Sequence, residues 1–219
     1  MGATGQRRLS SLPAAAAAAP LLLLLAVSSW SQAAASAAAA PAWTTDLEKH
    51  VAFFDTDNDG IVTFSETEQG LRAIGLGVLE ATASATLING VIGPKTRPEN
   101  ATTSRFDIYI ANIHKGMHGS DSGSYDAQGR FVPAKFNGIF TRFAKVEPNA
   151  LNEAELEAMR TANRKEGDFK GWAASKAEWG MLYNLAKDKD GFLEKNTART
   201  VYDGSLFPKL AKKASSSGN

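Results

Sequence analysis

Twelve residues, Asp55 to Glu66, constrain this chain more than any other stretch. Counted from Asp55, carboxylates stand at the first, third and fifth places (Asp55, Asp57, Asp59) and a glycine that permits a sharp turn at the sixth (Gly60). A backbone carbonyl follows at the seventh (Ile61), a hydroxyl at the ninth (Thr63) and a carboxylate at the twelfth (Glu66). Oxygen donors at this spacing, closed by a bidentate glutamate, are the ligand set of an EF-hand calcium loop. Val62, at the eighth place, is the apolar residue through which such a loop pairs with another. An ordinary acidic surface loop has no reason to occupy so many fixed positions, so one bound Ca2+ is expected here.

The flanks agree with that reading. Thr45 or Asp46 can cap an incoming helix whose Leu47, Val51 and Phe54 share a face. His50 falls on the same face, where a histidine usually packs as a core residue. The outgoing helix begins near Ser65, turns Leu71 and Ile74 inward and is weakened by Gly75 and Gly77. A second stretch, Ala186 to Thr197, keeps Asp188, Asp190, Gly191 and Leu193 at the third, fifth, sixth and eighth places. Ala186 and Thr197 replace the first and twelfth ligands, which makes it a degenerate EF-hand without a tight ion. The expected fold is mainly α, with the intact loop paired to the degenerate C-terminal one through Val62 and Leu193, plus a short amphipathic or apolar central segment.

Composition narrows the chemistry. The 219 residues carry 24 Lys plus Arg against 23 Asp plus Glu, a formal net charge of +1, which disfavours nucleic acid as a partner. With no cysteine, disulfides, thiolate nucleophiles, iron–sulfur clusters, cysteine zinc sites and cysteine-ligated haem are excluded. Any haem would rest on His50, His114 or His118.

Residues 1–42 read as a targeting segment, with Arg7 and Arg8, a short apolar run from Leu21 to Val27, and Ala-x-Ala sites between Ala33 and Ala40. A cleaved signal peptide, a transit peptide or signal anchor, and an Ala-rich tail are the readings in that order. The first of them implies the secretory pathway or endomembrane, ER or secreted, and an Asn100-Ala101-Thr102 sequon agrees with it. Residues 43–75 form the EF-hand, and 76–104 an apolar segment and loop in which Pro94 and Pro98 break the helix. The apolar segment reads as a buried core helix or an interfacial one at a membrane surface rather than a span. Residues 105–208 form a C-terminal region that includes the degenerate EF-hand. Here His114 and His118 share a face if the run is helical, a weak two-histidine metal signal. Phe136, Ile139, Phe140 and Phe143 form an aromatic stripe that lines a lipid-like pocket or, more simply, packs as core. A helix is expected from Glu147-Pro148 with Leu151, Leu156 and Met159 inward, and another from Gly171-Trp172. The Lys-rich residues 209–219 read as a disordered tail.

These stretches together resemble the plant caleosins, the calcium-binding peroxygenases. The similarity is carried by Glu48-Lys-His50-Val-Ala-Phe-Phe-Asp55, Gly70-Leu-Arg-Ala-Ile-Gly75, Ile108-Tyr-Ile-Ala-Asn-Ile-His114-Lys-Gly-Met-His118-Gly-Ser-Asp121-Ser, Gly129-Arg-Phe-Val-Pro133, and Gly171-Trp172 through Glu178-Trp179-Gly180 to Tyr202-Asp-Gly-Ser-Leu-Phe207. The resemblance implies haem b and Ca2+ as cofactors, and transfer of an oxygen atom from a fatty acid hydroperoxide to an unsaturated lipid or other acceptor. It also implies His50 and His118 as the haem-associated, catalytic histidines, against the packed-core reading of His50, with His114 undecided or behind them. Two strong axial histidines would leave iron no open position, so one is expected to hold iron and the other to move a proton or dissociate. Caleosins commonly carry a longer apolar segment with a proline-rich knot. Here Glu80 interrupts the run and only Pro94 and Pro98 remain, so a membrane or lipid-droplet surface is the alternative location. The rival functions are a non-enzymatic calcium sensor, disfavoured by the scattered Met117, Met159 and Met181, and a structural protein of membrane or lipid-droplet surfaces.

Overall fold

The computed structural model describes residues 42–217; the expected targeting segment, but for its last residue, lies outside them. The fold is mainly α. Its helices start where short side chains satisfy the free N–H groups of a first turn. In α1 (Asp46–Val51) the Thr45 hydroxyl accepts from the Glu48 N–H while the Glu48 carboxylate accepts from the Thr45 N–H. The same reciprocal box opens α2 (Phe64–Ala73) through Thr63 and Glu66. It recurs in α5 (Glu153–Ala162) through Asn152 and Glu155. Asp168 caps α6 (Phe169–Ala186) and Pro133 starts α4 (Pro133–Phe143).

Four two-residue strands lie between helices: β1 (Ile61–Val62), β2 (Ile108–Tyr109), β3 (Ala150–Leu151) and β4 (Leu193–Glu194). They mark four successive units, α1–β1–α2, α3–β2–3₁₀ helix, α4–β3–α5 and α6–β4–α7, where α3 is Val78–Thr96, the 3₁₀ helix Ile110–Gly116 and α7 Lys195–Tyr202. Here the structure corrects the expected pairing. Val62 pairs with Ile108, and Leu193 pairs with Leu151, both antiparallel; β1 and β4 do not meet. The reason is a third loop that supplies a nearer partner. Asn149 takes the left-handed backbone (φ 62°) that Gly60 (φ 87°) and Gly191 (φ 83°) take in the loops before β1 and β4. Leu151 then follows Asn149 by the interval that separates Val62 from Gly60, and Glu155 follows as Glu66 does. The Glu155 carboxylate accepts from the N–H groups of Lys145, Val146 and Asn152, so hydrogen bonds close that loop without acidic companions. This also corrects the helix expected from Pro148, which starts at Glu153, with Leu151 in a strand.

The paired loops organise three apolar clusters. Val62, Ile108, Ile110 and Ile113 centre the first pair. Phe136, Ile139, Phe140, Leu151, Met159 and Trp179 centre the second, so the aromatic stripe is core. Leu71, Ile74, Ala81 and Ala85 join the two, packing against Met181 and Leu185 of α6 and Phe207 and Leu210 of α8 (Leu206–Ser217). The tail expected to be disordered is therefore helical to Ser217. Its Leu206, Phe207, Leu210 and Ala211 recur at helical spacing and cover α2 and α3.

The central segment is α3, and Pro94 does not break it. Pro94 sits in its last turn at the cost of one backbone hydrogen bond, and the helix ends at Arg97, which Pro98 holds extended (ψ 127°). One face, Ala81, Ala85, Asn89, Gly93 and Thr96, is buried. Asn89 donates to the carbonyls of Phe106 (3.0 Å) and Val62 (3.4 Å), and the Tyr109 N–H donates to Thr96 Oγ1 (3.1 Å), which clamps α3 to β1 and β2. Leu79, Leu87 and Val91, away from that face, and Val78, at the open start of the helix, are exposed. Among the described residues no helix is long and apolar enough to cross a membrane.

Two glycines on α3 separate packing from propensity. A Cβ at Gly93 would stand 2.6 Å from the Phe106 carbonyl, whereas one at Gly90 would meet nothing within 4 Å. Gly93→Ala should cost about 1–3 kcal/mol by overpacking, while Gly90→Ala should gain roughly 0.5–1 kcal/mol from helix propensity. Paired thermal melts check both signs.

Candidate functional site

Between the two pairs of units lies a cavity of ≈ 330 Å³, walled by α1, α2, α3, α6, α7, α8 and the segment after the 3₁₀ helix. Most of its wall is apolar, with Phe54, Leu71, Ile88, Trp179 and Leu185 among the contributors. Leu87 lines it and is also 64% exposed, which places that side chain at the mouth. His50 and His118 both line it, one from α1 and the other from the segment that follows the 3₁₀ helix.

His50 is carried by α1 on the face shared with Leu47, Val51 and Phe54. Its Nδ1 lies 3.1 Å from the Val201 carbonyl oxygen of α7. A carbonyl only accepts, so Nδ1 carries the hydrogen and Nε2 keeps the lone pair. Burial pushes the imidazole below its ordinary pKa, although the Val201 bond and Glu178 oppose this, so the ring is neutral. The Phe207 ring packs on it at 4.7 Å.

His118 sits beyond the 3₁₀ helix, in an extended segment anchored at Ser120. The Ser120 hydroxyl donates to Asp168 (3.0 Å), the residue that caps α6, and accepts from the Lys165 N–H. This fixes His118 against α6, where its Nε2 faces Glu178 at 3.5 Å. The Glu178 carboxylate raises the His118 pKa against the opposing pull of burial. Its Nδ1 is buried with no hydrogen-bond partner. Asp121, one turn of chain further on, also lines the cavity, and burial followed by the nearby Glu178 charge raises its carboxyl. His114 belongs to the 3₁₀ helix, which ends at Gly116, so His114 and His118 do not share an α-helical face, and His114 is not part of the cavity wall.

The acidic loop lies just after α1. Ligating oxygens of Asp55, Asp57 and Asp59 come within 4.8 Å of one another, a cluster able to hold a metal ion. Asp55 is buried and accepts from the N–H groups of Asp59 (3.1 Å) and Gly60 (3.0 Å). Burial raises its carboxyl and so opposes the ionised form until a cation is present. Glu66 stands apart from that trio, its oxygens accepting from the N–H and hydroxyl of Thr56 and of Thr63. Those bonds hold its pKa low despite burial. Ile61 is in β1 and Thr63 caps α2.

Sequence reasoning did not single out Glu178, Tyr125, Tyr202 or Val201 as cavity residues. Glu178, beside Trp179 on α6, and Tyr202 were legible only as parts of motifs; Tyr125 and Val201 carry no local signal.

Residues 42–211, nearly all that the structure describes, match the family described as "Caleosin related protein". The chain belongs to the caleosin family. This caleosin is 50% identical over 170 residues to "Probable peroxygenase 4" of Arabidopsis thaliana, covering 78% of this chain and 87% of the relative. It is 47% identical over 166 residues to "Peroxygenase" of Lilium longiflorum, covering 76% and 70%. A more distant relative, 36% identical over 151 residues and covering 69% of this chain and 72% of its own length, is "Probable inactive peroxygenase-like protein" of Arabidopsis thaliana. No solved structure matches.

Because Glu178 is the first cause of the His118 shift, His118 should titrate above the ordinary histidine value of about 6.5. Glu178→Gln should bring it down. NMR titration of the ring protons checks the direction.

Proposed function

We propose that this caleosin is a calcium-braced haem peroxygenase that moves an oxygen atom from a fatty acid hydroperoxide to an unsaturated lipid or another acceptor, by epoxidation or hydroxylation. The observation that carries the reading is the pair His50 and His118 on one apolar cavity, in a chain half identical to a protein named as a peroxygenase.

The residues fit a haem b group. His50 offers Nε2 as a lone-pair donor, and the bond from its Nδ1–H to Val201 sets the tautomer and orientation that iron-ligating histidines need. His118 offers a buried, unpartnered Nδ1 in the same apolar cavity. We assign His50 as the residue that would hold iron and His118 as the proton carrier. Bound haem supplies the cleavage of the hydroperoxide O–O bond and the transfer of one oxygen. His118, whose protonated form Glu178 favours, keeps a proton at the wall for the oxygen that departs as alcohol. The apolar lining receives the lipid chain and excludes water, and the exposed Val78, Leu79, Leu87 and Val91 offer a lipid surface a face beside the mouth.

The calcium ion belongs to Asp55, Asp57, Asp59, the Ile61 carbonyl, Thr63 and Glu66, hard oxygen donors suited to that ion. It braces α1, and α1 carries His50. In the lumen of the secretory pathway, which residues 1–42 suggest, such a site stays filled and acts as a staple. The second reading, a non-enzymatic calcium-binding protein of membrane or lipid-droplet surfaces, is favoured by the exposed face of α3 alone.

Calorimetric titration should find one tight calcium site per chain, and Glu66→Gln should weaken it by at least tenfold while lowering haem occupancy; two tight sites would refute the assignment. His50→Ala should abolish the Soret band of the reconstituted protein. His118→Ala should keep the band and lose oxygen transfer by 100-fold or more, of the order expected for a positioned acid. A wild-type protein without a Soret band after reconstitution would favour the surface-protein reading.

A further inference from the structure

Among the polar side chains on the cavity wall, along with His118, are Asp121, Ser122, Tyr125 and Tyr202. Asp121 and Ser122 have hydrogen-bond partners within the protein. The Ser122 hydroxyl donates to Asp121 Oδ1 (3.3 Å) and accepts from the Ser124 hydroxyl (3.1 Å). The Tyr202 ring packs against those of Tyr125, Phe131 and Phe136. Tyr125 is different, for its hydroxyl is buried and has no hydrogen-bond partner.

An orphaned buried hydroxyl costs about 1–3 kcal/mol unless something satisfies it. The Tyr125 ring cannot easily swing away. It stacks on the Tyr202 ring at 4.9 Å, and its backbone is tied by the bridge to Phe131. Burial, then the neighbouring Tyr202, Asp46 and Asp121, push its phenol up, so it stays protonated and its role is that of a donor. No group of the protein accepts from it, so its hydrogen is left for a molecule that fills the cavity Tyr125 lines.

We propose that the Tyr125 hydroxyl is the positioning group for the lipid ligand, donating a hydrogen bond to the oxygen on its chain, that of the hydroperoxide or of the alcohol it becomes. This rests on the peroxygenase reading for the identity of that oxygen. It adds a specificity rule: oxygenated chains are held in one register along an otherwise apolar cavity, while plain hydrocarbon chains slide. Tyr202 contributes its ring, which packs on that of Tyr125.

The test uses the full chain, calcium-loaded, and two probes of equal length: a long-chain secondary alcohol and the corresponding alkene. Isothermal titration reads both affinities for wild type, Tyr125→Phe and Tyr202→Phe. Tyr125→Phe is expected to weaken the alcohol roughly five- to tenfold, the worth of one hydrogen bond, and to leave the alkene unchanged. Its melting temperature should equal or exceed that of wild type, because no internal bond is lost. Tyr202→Phe should not discriminate between the probes. An alcohol that fails to bind wild type, an equal loss for both probes, or no loss for either overturns the proposal. If the haem-loaded wild type transfers no oxygen while the Tyr125-dependent preference for the alcohol persists, the reaction fails and the ligand contact stands.

Discussion

A strand of two residues cannot stand alone, because its few ladder bonds and its one inward side chain do nothing without a partner. Each loop in this protein must therefore find another loop, and the choice of partner decides the rest. Val62 on Ile108 brings α3 beneath the acidic loop, and Leu151 on Leu193 seats α4 and α5 against α6 and α7. Two separate pairs have two apolar faces left over. Where those faces meet, the cavity opens, lined from both sides.

The acidic loop and the histidines are coupled through this arrangement. His50 precedes Asp55 by little more than a helical turn, so the loop fixes the C-terminal end of α1. Phe54, between them, lies against Gly70, where a Cβ would come within 2.3 Å of its ring; α1 can approach α2 only because that position is glycine. From the other side, Val201 and Phe207 hold the imidazole with a carbonyl and a ring. The first and last units thus do meet, as the two loop motifs had suggested. They meet through α1, α7 and α8 and not through their strands.

The third loop shows what a motif reading overlooks. Asn149, Leu151 and Glu155 repeat the spacing of Gly60, Val62 and Glu66, but Ala144, Val146 and Pro148 stand where ligands would be. A search led by carboxylates passes over it, although its backbone geometry and its closing glutamate are kept. A similar lesson comes from Pro94 and the C-terminal tail. Proline near a helix end and lysines near a chain end are weak stop signals, and the buried faces of α3 and α8 outweighed them. His114 and His118 were paired by count alone, and a 3₁₀ helix with a different period separates them.

By itself the sequence determined what depends on near neighbours: the capped start of α1, the inward faces of α1, α2 and α4, and the acidic cluster of Asp55, Asp57 and Asp59, whose ligands lie within one loop. Tertiary structure alone decided which loops pair, that His50 and His118 share one cavity, that Val201 sets the tautomer of one and Glu178 raises the pKa of the other, and that Tyr125 is left with a free hydroxyl. The reason is distance along the chain. Each of these outcomes depends on surfaces contributed by far-apart segments, and hydrophobic burial, which brings them together, is non-directional and leaves no local spacing to read.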